Sequence, residues 1–467
     1  MQHRSRDRAG LIAVAALCAV AATAVQMPVA AADTSTGARE YRVQGTSVRG
    51  AGSGTGAPSL RPGRTYADSL GPGEKRFYGV DLDAKSVAYV AAVAAPRPGA
   101  GVVSYRDGVT VTLKNPAGGV CDTVPRRIET KGVAYPLADH VTRQTGSGSV
   151  ASCRTAGRYV VTVERQAGAA DPDSWPLELR LMVEPPVKGG STNPAPEGSW
   201  HAKPPQPPSG SARPRQGGQG FSDAPLVSTG VWRDEFEPGE THFYRVPVEW
   251  GQQISAIAEI PADGADESTP PLNQAIAMRA YNPARGLAKR GTALAQEGSR
   301  PQTEVSTAPA AYGNRYAKAD YSVRAMSLTG GYYLAVTLNP PNVEPHLDRT
   351  VPVTLRLRVA GKAQAGPDYD GNAVKAGFGL TDAERREADK AASPLQPDPM
   401  GRPEVGHRTT LQTVAYTSFG TGSLLLLGLG VWILTARRRT AAEGRREVPE
   451  TADPTTGQHR YGPPPAW

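Results

Sequence analysis

The chain has 467 residues, 39% of them apolar and 21% charged, with 52 Gly and 43 Pro. Gly and Pro at about a fifth of the chain exclude a predominantly helical protein and favour turn-rich β domains joined by linkers. The net charge of +8 is spread thinly, with no dense basic patch carrying interleaved aromatics, which excludes nucleic-acid binding.

Residues 1–32 have the form of a signal peptide: Arg4, Arg6 and Arg8, an apolar run over 11–25, and Ala30-Ala31-Ala32 before Asp33. Leu17 precedes Cys18 where a lipoprotein signal needs a small residue. Residues 33–58 are rich in Gly, Ser and Thr and read as a flexible arm. The first domain, 59–184, contains Pro72-Gly73-Glu74, a turn feeding a strand with Tyr78, Val80 and Leu82 on one face. A second apolar run covers 86–94. Val109, Val111 and Leu113 then alternate up to the turn signal Asn115-Pro116. Gly157-Arg158-Tyr159 opens a strand through Val161 and Val163, and Leu177, Leu179, Leu181 and Val183 alternate in the last one. Cys121 and Cys153 lie between, in residues 118–156. With Cys18 in the signal, this even pair in an exported segment reads as a disulfide.

Residues 185–220 form a Pro/Gly-rich linker with too few aliphatic side chains to offset ordering entropy. The second domain, 221–360, repeats the first in order. Pro238-Gly239-Glu240 and Tyr244 match Pro72-Gly73-Glu74 and Tyr78, Asn282-Pro283 matches Asn115-Pro116, and Gly330-Gly331-Tyr332 matches Gly157-Arg158-Tyr159. Val353, Leu355, Leu357 and Val359 match the last strand. The stretches 118–156 and 287–329 read as unmatched loops. Residues 361–416 read as a stalk, with Thr381-Asp382-Ala383-Glu384 at capping-box spacing opening a short helix. Residues 417–436 carry no charge over a length that spans a bilayer, and Arg437, Arg438 and Arg439 follow as a membrane stop. The positive-inside rule then puts residues 437–467 in the cytoplasm and the N-terminal bulk outside. The expectation is an all-β, single-pass plasma-membrane protein with two tandem β-sandwich (jelly-roll-like) domains.

The PGE turn, the Tyr-x-Val strand, the Asn-Pro-x-x-Gly turn and the Gly-x-Tyr strand resemble the bacterial pre-peptidase C-terminal (PPC) domain, a small β-sandwich appended to secreted peptidases and other surface proteins. The resemblance covers roughly 59–184 and 221–360. Arginine far outnumbers lysine among the 52 basic residues, the bias of a GC-rich bacterial genome. Several family members carry paired Asp before the Asn-Pro or Asp-Pro turn, a calcium site. Neither 109–115 nor 275–282 holds an Asp, so that site is not carried over.

No HExxH, CxxC, GxSxG, SxxK or phosphate-loop pattern occurs. His242 on the repeated strand reads as a surface position, and Glu74 and Glu240 as charges at a strand entrance. Asp368-Tyr369-Asp370-Gly371-Asn372 starts like a calcium loop, but Gly379 stands where the bidentate Glu is needed. Trp250 falls on the apolar phase and reads as core, whereas Trp232 could face a ligand. The expectation is therefore no catalytic site, cofactor or metal. The protein reads as a scaffold for an extracytoplasmic or membrane protein partner. The alternative is a module for carbohydrate or cell-wall polysaccharide, with a cryptic hydrolase further behind.

Overall fold

The computed structural model describes residues 37–146, 149–188, 205–260, 275–294, 301–317, 320–339 and 350–392. The signal peptide, the apolar segment 417–436, Arg437–Arg439 and the tail lie outside them. So do residues 189–204 of the linker and the stalk beyond 392.

In chain order the first sandwich comprises β1 (Thr46–Ser47), β2 (Ser59–Leu60), β3 (Thr65–Leu70), β4 (Lys75–Leu82), β5 (Val87–Ala94), β6 (Gly108–Lys114), β7 (Val120–Arg127), β8 (Leu137–Arg143), β9 (Gly157–Arg165) and β10 (Trp175–Glu184). The second comprises β11 (Arg213–Pro214), β12 (Gly230–Phe236), β13 (Thr241–Val248), β14 (Gln253–Glu259), β15 (Ile276–Tyr281), β16 (Leu287–Arg290), β17 (Thr292–Leu294), β18 (Gln302–Ser306), β19 (Gly330–Leu338) and β20 (Val351–Ala360). Helix α1 (Tyr321–Ala325) precedes β19, and α2 (Asp382–Ala391) follows the second sandwich.

The sheet orders are β1-β3-β10-β5-β8 against β2-β4-β9-β6-β7 in the first copy. In the second they are β11-β12-β20-β14-β18-β17 against β13-β19-β15-β16. Apart from β2, matched in the second copy by an isolated parallel bridge between Leu226 and Arg245, and β17, which has no counterpart in the first, these are one topology, down to a short parallel strand at one edge: β1 beside β3, and β11 beside β12. The inward faces follow the period-2 pattern of half-buried strands. Tyr78, Val80, Val111, Tyr159, Val161, Leu177 and Leu179 fill the first core. Tyr244, Val246, Met278, Tyr332, Leu334, Leu355 and Leu357 fill the second.

Four expectations need correction. The duplication reaches further than the hydrophobic pattern shows. Strand β1 falls in the expected flexible arm and β11 in the expected linker, because backbone pairing with β3 and β12 orders two-residue segments that bury little side chain. The stretches 118–156 and 287–329 are not unmatched: β7 pairs with β6 as β16 pairs with β15, and β8 pairs with β5 as β18 pairs with β14. Residues 361–392 are no free stalk. Asp370 N donates to Pro186 O at 2.7 Å, Phe378 and Leu380 are buried, and α2 lies against β13. Helix α2 has the expected capping box, with Glu384 N donating to Thr381 Oγ1 at 3.2 Å. Trp232 is buried in the second core under the Arg213 guanidinium, 4.1 Å from the ring centroid, and Trp250 is buried as expected.

Alternation breaks down most fully in two strands. Strand β5 is buried on nearly every residue and β19 on all of them. Their outer faces are covered because the sandwiches pack against each other. Val93 and Ala138 of the first copy meet Phe221, Phe243, Tyr281 and Tyr333 of the second. Tyr89 and Met182 meet Ala284, Leu328 and Phe378. Two further segments cross this seam. Residues 37–44, ahead of the first sandwich, lie on the second: Tyr41 sits edge-on to Phe243 at 5.7 Å, and Arg42 N donates to Gln219 O at 3.1 Å. Residues 361–392, after the second sandwich, lie partly on the first, through Tyr369 paired with Val187 and Phe378 against Tyr89.

Candidate functional site

Each PGE turn is closed by its own glutamate. Glu74 accepts from Gly71 N at 2.8 Å and Glu240 accepts from Glu237 N at 3.0 Å. Gly73 (φ 69°) and Gly239 (φ 93°) take the left-handed conformation that favours glycine. Pro72 and Pro238 precede them at the position where proline presets φ. Behind each turn lies a buried polar anchor. The Tyr78 hydroxyl donates to Asp68 Oδ2 at 2.7 Å, and Gly50 N donates to the same oxygen at 2.8 Å. The Tyr244 hydroxyl and Gly217 N donate to Asp234 Oδ2, both at 2.7 Å. Asp68 and Asp234 were missed in the sequence, although each stands four residues before the turn proline and could have been found from the repeat spacing alone.

At one strand position the copies diverge. Arg76 in the first contacts Glu74 at 2.5 Å. Its counterpart is His242, which is 1% exposed and not a surface residue. The ring stacks on Phe236 with centroids 3.8 Å apart. Nδ1 is 2.6 Å from Asp234 Oδ2 and Nε2 is 2.8 Å from Glu240 Oε2. Arg39, from residues 37–44, donates to Glu240 Oε1 from its backbone N at 2.8 Å and from Nε at 3.0 Å, and its Nη2 contacts His242 Nε2. Burial alone would push the imidazole pKa down, but hydrogen bonds accepted by both carboxylates raise it above the ordinary 6.5. Burial alone would raise Glu240, yet His242 and Arg39 hold its carboxyl down at about 2. Asp234 is lowered in the same way, burial being outweighed by His242 and Tyr244. Both ring nitrogens are engaged and the ring is enclosed, so the cluster is built to hold charge in place and not to meet a substrate.

Arg165, with Asp107 and Asp171, is buried within the first sandwich, and the seam holds further buried charges. Glu184, at the end of β10, receives both guanidinium nitrogens of Arg315 at 3.0 and 2.9 Å. It also accepts from Tyr89 at 3.0 Å and from Tyr369 at 2.7 Å. One carboxylate thus ties β5, β10, the second sandwich and the segment after it. Tyr369, in the stretch that starts like a calcium loop, turns its hydroxyl to this carboxylate. Glu178, also on β10, pairs with Arg285, both fully buried, and accepts from Gln44 N at 2.8 Å. Asp139 on β8 contacts Arg126, accepts from the Tyr321 hydroxyl at 3.2 Å, and lies beside His140. Burial pushes the Asp139 carboxyl up despite Arg126, and drives His140 down to about 4.

Arg285 is the seam residue the sequence concealed. The turns Asn115-Pro116-Ala117-Gly118-Gly119 and Asn282-Pro283-Ala284-Arg285-Gly286 share their geometry: each Asn side chain accepts from the last glycine's N, at 2.8 and 2.9 Å. Gly118 has φ 86° and Arg285, in its place, has φ 63°. A non-glycine residue there costs about 1–2 kcal/mol, and the pairing with Glu178 offsets it. At Gly286 a Cβ would lie 2.1 Å from the His140 ring, so the next position has to be glycine. Cys121 and Cys153 form a disulfide in the first copy, joining β7 to the turn before β9. Among the described residues no group of three or more His, Cys, Asp or Glu is arranged to hold a metal ion.

No family model and no curated protein matches this chain. Among solved structures it is similar to the pre-peptidase C-terminal domain of a collagenase from Bacillus anthracis, at 13% identity and TM-score 0.17, over 27% of this chain and 93% of that one. It is also similar to the tandem CBM22 domains of Paenibacillus barcinonensis Xyn10C, at 10% identity and TM-score 0.17, over 64% of this chain and 92% of that one. A third neighbour is the tandem CBM51 modules of a family 98 glycoside hydrolase from Streptococcus pneumoniae, at 9% identity and TM-score 0.16, over 64% and 85%. The fold assignment rests on the strand order and register above.

Proposed function

We propose that the protein is a membrane-anchored, extracytoplasmic scaffold without catalytic activity of its own. Its two sandwiches act as one rigid body that presents its outer surfaces to another exported or membrane protein. The observation that carries this reading is the seam. Its buried carboxylates Glu178 and Glu184 are each committed to an arginine of the second sandwich, and Asp139, paired with Arg126 in its own sandwich, accepts across the seam from the Tyr321 hydroxyl, so the charge chemistry at the seam serves to hold the sandwiches together. Cross-linked tandem modules suit presentation of a fixed surface better than independent tethered binding. The disulfide fits an oxidising compartment, and the basic-apolar start and the apolar segment with its triple-Arg stop supply export and anchorage.

The test is affinity capture with the full chain in detergent, beside the seam variant Arg315→Met. The intact protein should return a reproducible extracytoplasmic partner, and the variant should lose it. Capture of no such partner, or equal capture by both, would refute the reading.

One observation favours polysaccharide as a second reading. Tyr105 is 70% exposed and sits at φ 63°, a strained setting for an aromatic side chain. Buried Trp232 cannot be the platform. Retention on purified wall polysaccharide that disappears in Tyr105→Ala would establish this alternative.

A further inference from the structure

We propose that residues 37–44 form an acid-releasable strap, with His242 as its lock. The strap is held on the second sandwich through Arg39, through Tyr41 against Phe243 and through Arg42 to Gln219 O and Asp223, and Arg39 meets His242 at a nitrogen that has two competing partners. Asp234 Oδ2 already accepts from the Tyr244 hydroxyl and Gly217 N, so it takes a third donor from His242 Nδ1. With the proton on Nδ1, Nε2 of the neutral ring carries a lone pair and accepts from Arg39 Nη2. Protonation at Nε2 turns that atom into a donor, which Glu240 Oε2 takes at 2.8 Å. The Arg39 bond is then lost, and two cations stand side by side in a buried place. The Coulomb balance acts in the same direction. Glu240 and Asp234 carry two negative charges, and a neutral His242 leaves Arg39 as their only cationic partner in the cluster. An imidazolium cancels part of the field that attracts Arg39.

The groups facing His242 are few. Strand β12 contributes Asp234 and the apolar ring of Phe236. The turn before β13 contributes Glu240, and the strap contributes Arg39. Strand β13 contributes Tyr244 through Asp234, and β19 contributes Val336, without charge. Glu237 stands beside Gly37, near the start of the strap. The first copy shows the alternative. Arg76, a fixed cation at the position of His242, bonds Gly50 O at 3.3 Å and has no such exchangeable partner. The strap also bridges the seam, since Gln44 N bonds Glu178. Its release would therefore loosen the joint at one end while leaving both cores intact.

Linkage requires the effect to be reciprocal. If protonation weakens the strap, removing Arg39 must raise the His242 titration midpoint. The test uses the full chain in detergent with ring-labelled histidine, His242 being assigned through His242→Gln. In Arg39→Gln the His242 midpoint should rise by about one pH unit, equivalent to about tenfold weaker strap docking on protonation. Hydrogen-exchange protection of residues 39–44, corrected for intrinsic rates, should fall by about the same factor as pH drops through that midpoint. In His242→Arg it should be low at every pH. A midpoint unmoved by Arg39→Gln, or strap protection independent of pH in the native chain, would overturn the proposal. Arg39 is partly exposed, so its replacement leaves the core untouched.

Discussion

The two sandwiches share one topology and one set of turn devices, yet they have been put to different uses. In the first copy the strand position after the PGE turn holds Arg76 and the left-handed turn position holds Gly118. In the second the same places hold His242 and Arg285. The first copy is stapled by a disulfide, and the second contains no cysteine. The shared parts are those that build a sandwich: the turn-closing glutamates, the Tyr–Asp anchors, and the Asn that closes its own turn. Tyr159 and Tyr332 belong with them, donating to Cys153 O and Leu328 O at 2.7 and 2.6 Å. The disulfide staples the first copy internally, whereas His242 faces the strap and Arg285 faces the other copy. Between the copies the turn and core devices are the same, and the residues that differ at His242 and Arg285 lie on covered outer faces.

The largest expected effect comes from breaking the seam. Arg315→Met leaves Glu184 buried without its cation and should cost about 3–5 kcal/mol. Denaturant unfolding should then separate into two transitions, one for each sandwich. A single unchanged transition would mean that the seam is not cooperative. Removing the staple by Cys121→Ser with Cys153→Ser opens a link across 32 residues. In the chain-entropy model the loss is about 3–4 kcal/mol, confined to the first sandwich.

The turn position gives a smaller and sharper test. Arg285→Gly relieves about 1–2 kcal/mol of backbone strain but strands Glu178. It should destabilise the native background and become neutral or stabilising together with Glu178→Gln. Gly118→Arg in the first copy brings the strain with no partner and should only destabilise. Additivity of Arg285→Gly and Glu178→Gln in a double-mutant cycle would remove the offset argued for Arg285.

Smallest is the pH response of two buried histidines with opposite settings. His140 is held down at about 4, below the ordinary 6.5. The unfolded chain therefore binds more protons between those values, and the His140 contribution to stability falls as pH drops from 6.5 towards 4. His242 is raised, so its contribution is full below its unfolded value of about 6.5 and is lost as pH climbs through its folded value. Thermal unfolding against pH should show the acid-side decline flattened in His140→Gln and the alkaline-side decline flattened in His242→Gln. Identical profiles for both variants would break the contrast.

Much of the fold was legible because each sandwich strand buries one face, and period-2 alternation records that burial directly. Tyr78, Val80 and Leu82 and their counterparts Tyr244, Val246 and Val248 are such a record, as are the PGE and Asn-Pro turns, where backbone geometry dictates residue type. The edge strands β1 and β11 left no such trace, because two residues joined by backbone bonds impose no side-chain pattern. The candidate site was less legible. His242 read as a surface position, since its partners Asp234 and Arg39 lie 8 and 203 residues away. Nothing in the sequence singled out Arg285, since Glu178 is 107 residues distant. Local pattern determined the two sandwiches, their turns and the cysteine pair. Only the tertiary structure decided which outer faces are covered, and with them which charges are buried, because burial of a charge depends on a partner that sequence spacing does not record.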